Sequence, residues 1–350
     1  MLPLPQVRES YQLALDLIRG VEFAFPPNEP TPEGYYRELV RGPSPARSHE
    51  VRRRIRYYLA LFELAGRDPE GASVLEAGTG FGLGLILLGA LGVQEARGIE
   101  IVPWMAAYAQ RCQEVLPEHM RSRLEAVAGD VNDMPYENES FDVVLSTEAI
   151  SHYLEYRPFL AEAHRVLRPG GVLVVSDGNN GLNPLIRRRT YDIWASHEVD
   201  PVVESERGER YENHPWWLVN KRKEILLASF PQLSEEVAHR LALHTSGMVR
   251  EQVVAAGRAY LEEGVEPSSP YRRGVLTVHP DHEMVMERLF NPFELGREIA
   301  RFGFRVRVRG HWAGASGKRW HRAADRLLGS MSRVTMFAAR GFRIAAVKLG

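Results

Sequence analysis

The chain has 350 residues and a net charge of −1, with 44% hydrophobic and 25% charged residues. This length and balance suit one buried core with a large elaboration. They speak against nucleic acid as a partner, which usually asks for a basic surplus. The one cysteine, Cys112, excludes an internal disulfide and a Cys-rich metal site. No apolar run is long enough to span a bilayer, so no membrane partner is expected. The start, MLPLPQVRESYQLAL, has neither a basic leader nor a long apolar stretch, and a cytoplasmic location is expected.

In chain order, residues 1–70 read as a helical N-terminal segment. The loop FPPNEPTPEG (25–34) interrupts it, and a helix follows that Ser48 would cap, with Val51, Ile55, Tyr58, Leu59 and Phe62 at helical spacing. From Ser73 the rhythm changes. SVLEAG, ARGIEI, RLEAVAGD, FDVVLS and GGVLVVSD are five short apolar runs separated by helical stretches, one near 104–115 and one with Pro158 near its start. That alternation predicts βαβ units and a doubly wound parallel sheet over 71–178.

Residues 179–288 break the rhythm as a helical insertion. Helices are expected near 185–195, 216–229, 235–244 and 251–262, the last with Val253, Gly257, Tyr260 and Leu261 on one face. The sheet pattern then resumes over 289–350, where NPFELGREIARFGF reads as an amphipathic helix and FRVRVRGHW and FRIAAVKLG as two strands.

The chemistry centres on Glu76-x-Gly78-x-Gly80-x-Gly82, where a strand runs through closely spaced glycines into a helix. Glycines there let backbone N–H groups approach a ligand with no Cβ in the way. A dinucleotide fingerprint, G-x-G-x-x-G/A, would need a small residue at the sixth position. Counting from Gly78 or from Gly80 reaches Leu83 or Leu85, which opposes a nicotinamide-dependent oxidoreductase.

With this motif the chain resembles the class I S-adenosylmethionine-dependent methyltransferases of the small-molecule type. The resemblance continues at Glu100 in GIEI, Asp130 in AGDV, the run DMPYENESFDVVLS and the approach LRPGGVLVV. It spans roughly 71–178 and 289–349 and implies a Rossmann-like α/β fold with S-adenosylmethionine as cofactor. It further implies that Glu76, Gly78, Gly80, Gly82, Glu100, Ile101, Asp130, Val131 and Thr147 line the cofactor site. Glu100 would accept from the ribose diol, for which a carboxylate is a suitable acceptor, and Asp130 from the adenine amino group beside the Val131 N–H. His152, just past the fourth strand, matches a histidine of small-molecule members and would act as a general base or, alternatively, shape the pocket or cap the next helix.

Ser146-Thr147-Glu148-Ala149 stands where members that methylate nucleic-acid amino groups carry Asn/Asp-Pro-Pro-aromatic, which argues for a small-molecule acceptor. A catalytically silent, methyltransferase-like scaffold is the alternative reading.

Several further features are discounted. Only four of the 44 basic residues are lysines, so the arginine runs 52–54 and 187–189 read as solvated helix faces. His279-Pro280-Asp281-His282-Glu283 reads as a solvated loop in preference to a metal site. His214-Pro215-Trp216-Trp217 reads equally well as a lid anchor or as core of the insertion.

Overall fold

In a computed structural model, the structure describes residues 4–22, 44–114, 116–198, 218–282, 284–312 and 319–350. Two helices open the chain, α1 (Leu4–Glu22) and α2 (Ser44–Ala65). Ser48 lies inside α2 and does not cap it, because Pro45 in the first turn gives up only an N–H that has no helical partner there. The loop at 25–34 and the cluster at 214–217 lie outside the described residues.

The strands are β1 (Ser73–Ala77), β2 (Glu95–Glu100), β3 (Leu124–Ala128), β4 (Phe141–Thr147), β5 (Leu167–Asp177), β6 (Phe304–His311) and β7 (Gly341–Lys348). Among the described residues they form one sheet in the order β3-β2-β1-β4-β5-β7-β6. β1 to β5 run parallel to one another, as the alternating pattern predicts. β7 inserts antiparallel between β5 and β6, so the sheet is mixed. Every residue of β1 is buried, the signature of a strand covered on both faces.

One face is packed by α1, α2 and α3 (Leu83–Ala90). Leu15, Ile18, Val51, Ile55 and Phe62 join Val74, Val143, Leu145, Val172 and Val174 in a single cluster. On the other face lies α11 (Pro292–Arg301), where a Cβ on Gly296 would sit 2.7 Å from Val308. Val308 aligns across the sheet with Ile344 and Val175. Asn291 starts this helix by accepting from Phe293 N–H (3.1 Å) and Glu294 N–H (3.4 Å).

The chain divides into two compact units: residues 151–154 with 179–290, and the remainder, which holds the whole sheet. The smaller unit contains α7 (Pro184–Glu198), α8 (Leu218–Ser229), α9 (Glu235–Leu243) and α10 (Arg250–Glu263). Its apolar centre joins Ile225, Leu226, Ala238, Leu241, Ala242 and Val253. Gly257 is small for a reason: a Cβ there would stand 2.6 Å from the Phe230 ring. Leu261 turns outward and leaves the face shared by Val253, Gly257 and Tyr260. A fully buried Arg222–Glu198 ion pair, with Arg222 Nε–H also donating to Ala242 O (3.1 Å), ties α7, α8 and α9 together. The two ends of its long segment meet at the Asn180–Phe290 bridge.

His279 is the corrected reading in this unit. It is buried, not solvated, and its Nδ1 accepts from the N–H groups of Asp281 (3.2 Å) and His282 (3.3 Å). The His282 ring stacks on it with centroids 4.4 Å apart. Pro280 turns the chain so that the imidazole serves as the acceptor for its own loop. Glu283 lies outside the described residues. Arg187, Arg188 and Arg189 are exposed, as are Arg52 and Arg53, while Arg54 is half-buried against Glu50 (2.8 Å).

Candidate functional site

The carboxyl ends of β1 to β5 carry the residues singled out by the sequence. After β1 the backbone turns three times through left-handed φ, at Gly78 (76°), Gly80 (57°) and Gly82 (75°), and α3 then begins. L-residues rarely adopt such φ, which accounts for the three glycines. Gly78 and Thr79 N–H both donate to Ile99 O (3.0 and 3.1 Å), pinning the loop to β2. A Cβ on Gly82 would stand 2.8 Å from Ala109. A Cβ on Gly80 would meet nothing within 4 Å, so open space lies beside the loop at that point.

Glu76 is buried beneath this loop. Tyr58, from α2, and Thr79 (2.7 Å) both donate their hydroxyls to its carboxylate. Burial pushes its carboxyl pKa up, against the downward pull of those two hydroxyls. A fourth glycine makes room for it, because a Cβ on Gly84 would fall 2.2 Å from both carboxylate oxygens. Glu76 therefore ties the loop to α2, close against the first turn of α3.

Glu100 ends β2 and reaches back to the loop. Its Oε2 accepts from Gly80 N–H (2.9 Å) and its Oε1 from Val102 N–H (3.0 Å). Next to Glu100, Ile101 is exposed, and so is Trp104 at the start of α4 (Pro103–Glu114). Phe81 from the glycine loop packs on Trp104 (5.5 Å) and edge-on to Tyr108 (5.4 Å), making an apolar wall beside Glu100. Asp130, two residues past β3, is exposed and accepts from Asn132 N–H (2.9 Å), while Val131 beside it is buried.

Beyond β4 the structure shows a polar group that the sequence reading did not assemble. Thr147 pairs with Ser176 across β4 and β5, and Ser176 pairs with Arg343 of β7. Glu148 follows with φ 51°, a conformation a non-glycine side chain adopts at a cost, and such strain collects at functional sites. Its N–H donates to Ser176 O (2.8 Å) and its Oε2 accepts from Gly178 N–H (2.9 Å), joining the ends of β4 and β5. Buried Arg343 lies over the Tyr57 ring of α2, 5.3 Å from its centroid. Burial, then the nearby Glu148 charge, raises the Tyr57 hydroxyl pKa, and burial lowers that of Arg343. Nothing in local spacing links residues 57, 148 and 343; β7's insertion beside β5 brings Arg343 to the other two.

His152 belongs to the smaller unit. Its Nδ1 lies 3.0 Å from Val285 O, and its own carbonyl accepts from Val285 N–H (3.0 Å). A carbonyl only accepts, so Nδ1 carries the proton and the neutral ring keeps its lone pair on Nε2. Among the described residues no three His, Cys, Asp or Glu side chains are placed to hold a metal ion.

Residues 75–175 match the methyltransferase domain family. The chain is 41% identical over 108 residues to a phthiotriol/phenolphthiotriol dimycocerosates methyltransferase of Mycobacterium leprae, covering 31% of this chain and 38% of that protein. It is 32% identical over 147 residues to a fatty-acid O-methyltransferase of Mycolicibacterium smegmatis, covering 41% and 50%. These matches thus span at most half of either relative. Among solved structures, an S-adenosylmethionine-dependent methyltransferase from Mesorhizobium loti aligns over 84% of this chain and 98% of its own, at 15% identity and a TM-score of 0.43. The family match thus runs from within β1 to within β5.

Proposed function

We propose that the chain is an S-adenosylmethionine-dependent methyltransferase that acts on a small, largely apolar acceptor. The observation that carries this reading is the loop at Gly80: left-handed, open beside its Cα, and hydrogen-bonded through its N–H to Glu100. A ligand entering there meets backbone with no Cβ in the way, a buried carboxylate and an apolar wall in one place, which suits a nucleoside bearing a ribose diol.

When bound, the cofactor supplies a methyl group on a sulfonium, a leaving group that is already activated. The chain's own work is then alignment, exclusion of water and removal of a proton. Glu100 accepts from the ribose hydroxyls, Asp130 and the Val131 N–H read the adenine edge, and Ile101 covers its face. Gly78, Gly80 and Gly82 bring the backbone to the ligand, Glu76 fixes their loop, and Thr147 lies at the methyl-transfer end. His152, protonated on Nδ1, takes the acceptor's proton on Nε2.

Residues 179–290 select the acceptor, because this unit leaves the sheet at the carboxyl end of β5, where doubly wound folds take ligands. The relatives named for fatty-acid and dimycocerosate substrates favour a lipid-like acceptor. The single buried cysteine fits a cytoplasmic setting.

The test is calorimetry. S-adenosylmethionine or its demethylated product binds at micromolar concentration and NAD does not; tighter binding of NAD overturns the reading.

A further inference from the structure

α12 (Arg319–Ser330) and α13 (Ser332–Thr335), followed by a 3-10 turn at Met336–Ala338, connect β6 to β7. Met331 N–H donates to Leu327 O (3.3 Å) and Thr335 N–H to Met331 O (3.2 Å), so helical bonding crosses the join between the two helices. The inner side is committed to the sheet unit. Ser332 Oγ accepts from Gly310 N–H (2.8 Å), Asp325 accepts from Trp312 N–H (2.8 Å), and Met336 and Ala339 are buried.

The outer side is apolar. Leu327, Met331, Val334 and Phe337 are 62%, 48%, 63% and 63% exposed. Spaced four, three and three residues apart, they form one stripe along the helical path. Four of the twelve exposed large apolar side chains among the described residues fall within these eleven positions, which is clustering and not the single scatter normal for a surface.

Charge decides what this stripe fits. Arg326, Arg333 and Arg340 are all exposed; Arg326 and Arg333 stand seven residues apart, close to two helical turns, which sets both along one flank of the stripe, and Arg340 follows where the helical path ends. From Arg319 to Arg340 the sequence holds five arginines against one acidic residue, Asp325, which faces inward. Arg326 also pairs with Glu63 (2.6 Å), leaving the arginine side chains at 333 and 340 as the outermost charges of the row. In a two-fold pairing of this face with itself the arginines would meet one another, with Asp325 turned inward and Glu63 already paired with Arg326. An apolar stripe edged by arginine is the pattern of a segment lying in the plane of a membrane interface.

We propose that this face seats on an anionic lipid surface, with Leu327, Met331, Val334 and Phe337 entering the acyl boundary and the arginines at the headgroups. No helix of the described residues is long and apolar enough to cross a membrane. Peripheral seating does not need one, which is why the absence of a spanning run predicts no membrane partner and overlooks this face. The proposal stands apart from the acceptor assignment, since neither cofactor nor acceptor enters its test.

The test is co-sedimentation of the full chain with vesicles of phosphatidylcholine alone or mixed with phosphatidylglycerol. The chain is expected to pellet with the mixed vesicles and far less with the neutral ones. Binding should weaken as salt shortens the screening length from about 10 Å to about 3 Å. Leu327→Ser/Val334→Ser/Phe337→Ser should lose at least about tenfold in partitioning, with an unchanged melting temperature because all three side chains are exposed. Arg333→Gln/Arg340→Gln should weaken binding to the mixed vesicles only. No sedimentation with the mixed vesicles overturns the proposal, and so does equal binding to both kinds. A triple variant that abolishes self-association in ultracentrifugation while binding vesicles normally also overturns it, by making the stripe a contact between copies.

Discussion

At the scale of single residues, Glu100 and His152 carry the sharpest consequences. Glu100 is read from the sequence as a ribose acceptor, and the structure adds a second duty, since its carboxylate also holds the N–H groups of Gly80 and Val102. Alanine would orphan both donors and confuse binding with stability. Glu100→Gln keeps one acceptor oxygen and removes the charge. It is expected to cost on the order of 1.5–3 kcal/mol in S-adenosylmethionine affinity, the range for hydrogen bonds to a charged group, with a smaller change in the melting temperature without ligand. Titration calorimetry and a thermal melt on the same sample separate the two, and unchanged affinity sinks the ribose role. For His152, the Nδ1 contact to Val285 O sets the tautomer that a base needs. His152→Ala should lower turnover about 10²–10⁴-fold with cofactor affinity intact. A loss confined to the acceptor's KM would make the residue a positioning group.

At the scale of elements, the loop between Val278 and Val285 shows how burial changes a titration. These two residues form a bridge that closes the turn, and His279 inside it accepts two backbone N–H groups on Nδ1. Burial, reinforced by the neighbouring His282, pushes the His279 pKa down from 6.5 to about 4. Between those values the unfolded chain takes up a proton that the folded chain refuses, so stability falls as pH drops through that window. Above pH 6.5 the contribution is fully present. His164 and His311, also held down by burial, act with the same sign, so the comparison needs a variant. His279→Asn keeps a side-chain oxygen for the turn and does not titrate. Denaturant unfolding from pH 7 to pH 4 should show a shallower loss for the variant than for the parent, by up to about 1.4 kcal/mol per pH unit. Equal slopes would show that His279 titrates alike in both states.

The whole molecule is organised by where the chain leaves its sheet and returns. The helical unit departs after Asp177 and comes back at Asn291, and its ends are held side by side by Phe290 N–H donating to Asn179 O (3.0 Å) and Gly181 N–H to Phe290 O (2.7 Å). A short Gly/Ser linker can therefore span the gap. The sheet unit keeps its own continuous core. Replacing residues 179–290 by such a linker is expected to preserve cofactor binding and to abolish transfer to the native acceptor, read by calorimetry and a methyl-transfer assay. Normal transfer by the folded, shortened chain would remove the unit from acceptor choice.

What the sequence determined by itself is local or periodic. The three glycines at 78, 80 and 82 announce a left-handed turn because few other residues adopt it, and the apolar runs of β1, β4 and β5 announce buried strands because both faces are covered. The helices of the insertion follow from their apolar spacing to within a few residues at each end. Tertiary structure decided everything that depends on partners distant in the chain. Gly84 reads as one more small residue until Glu76 and Tyr58 are seen filling the space beneath it. His279 reads as solvated until the fold buries its ring over its own turn. Arg343 comes beside Ser176, and over Tyr57, only because β7 runs antiparallel between β5 and β6. Strand direction there is set by hydrogen-bond pairing across the sheet, and residue spacing along the chain carries no record of it.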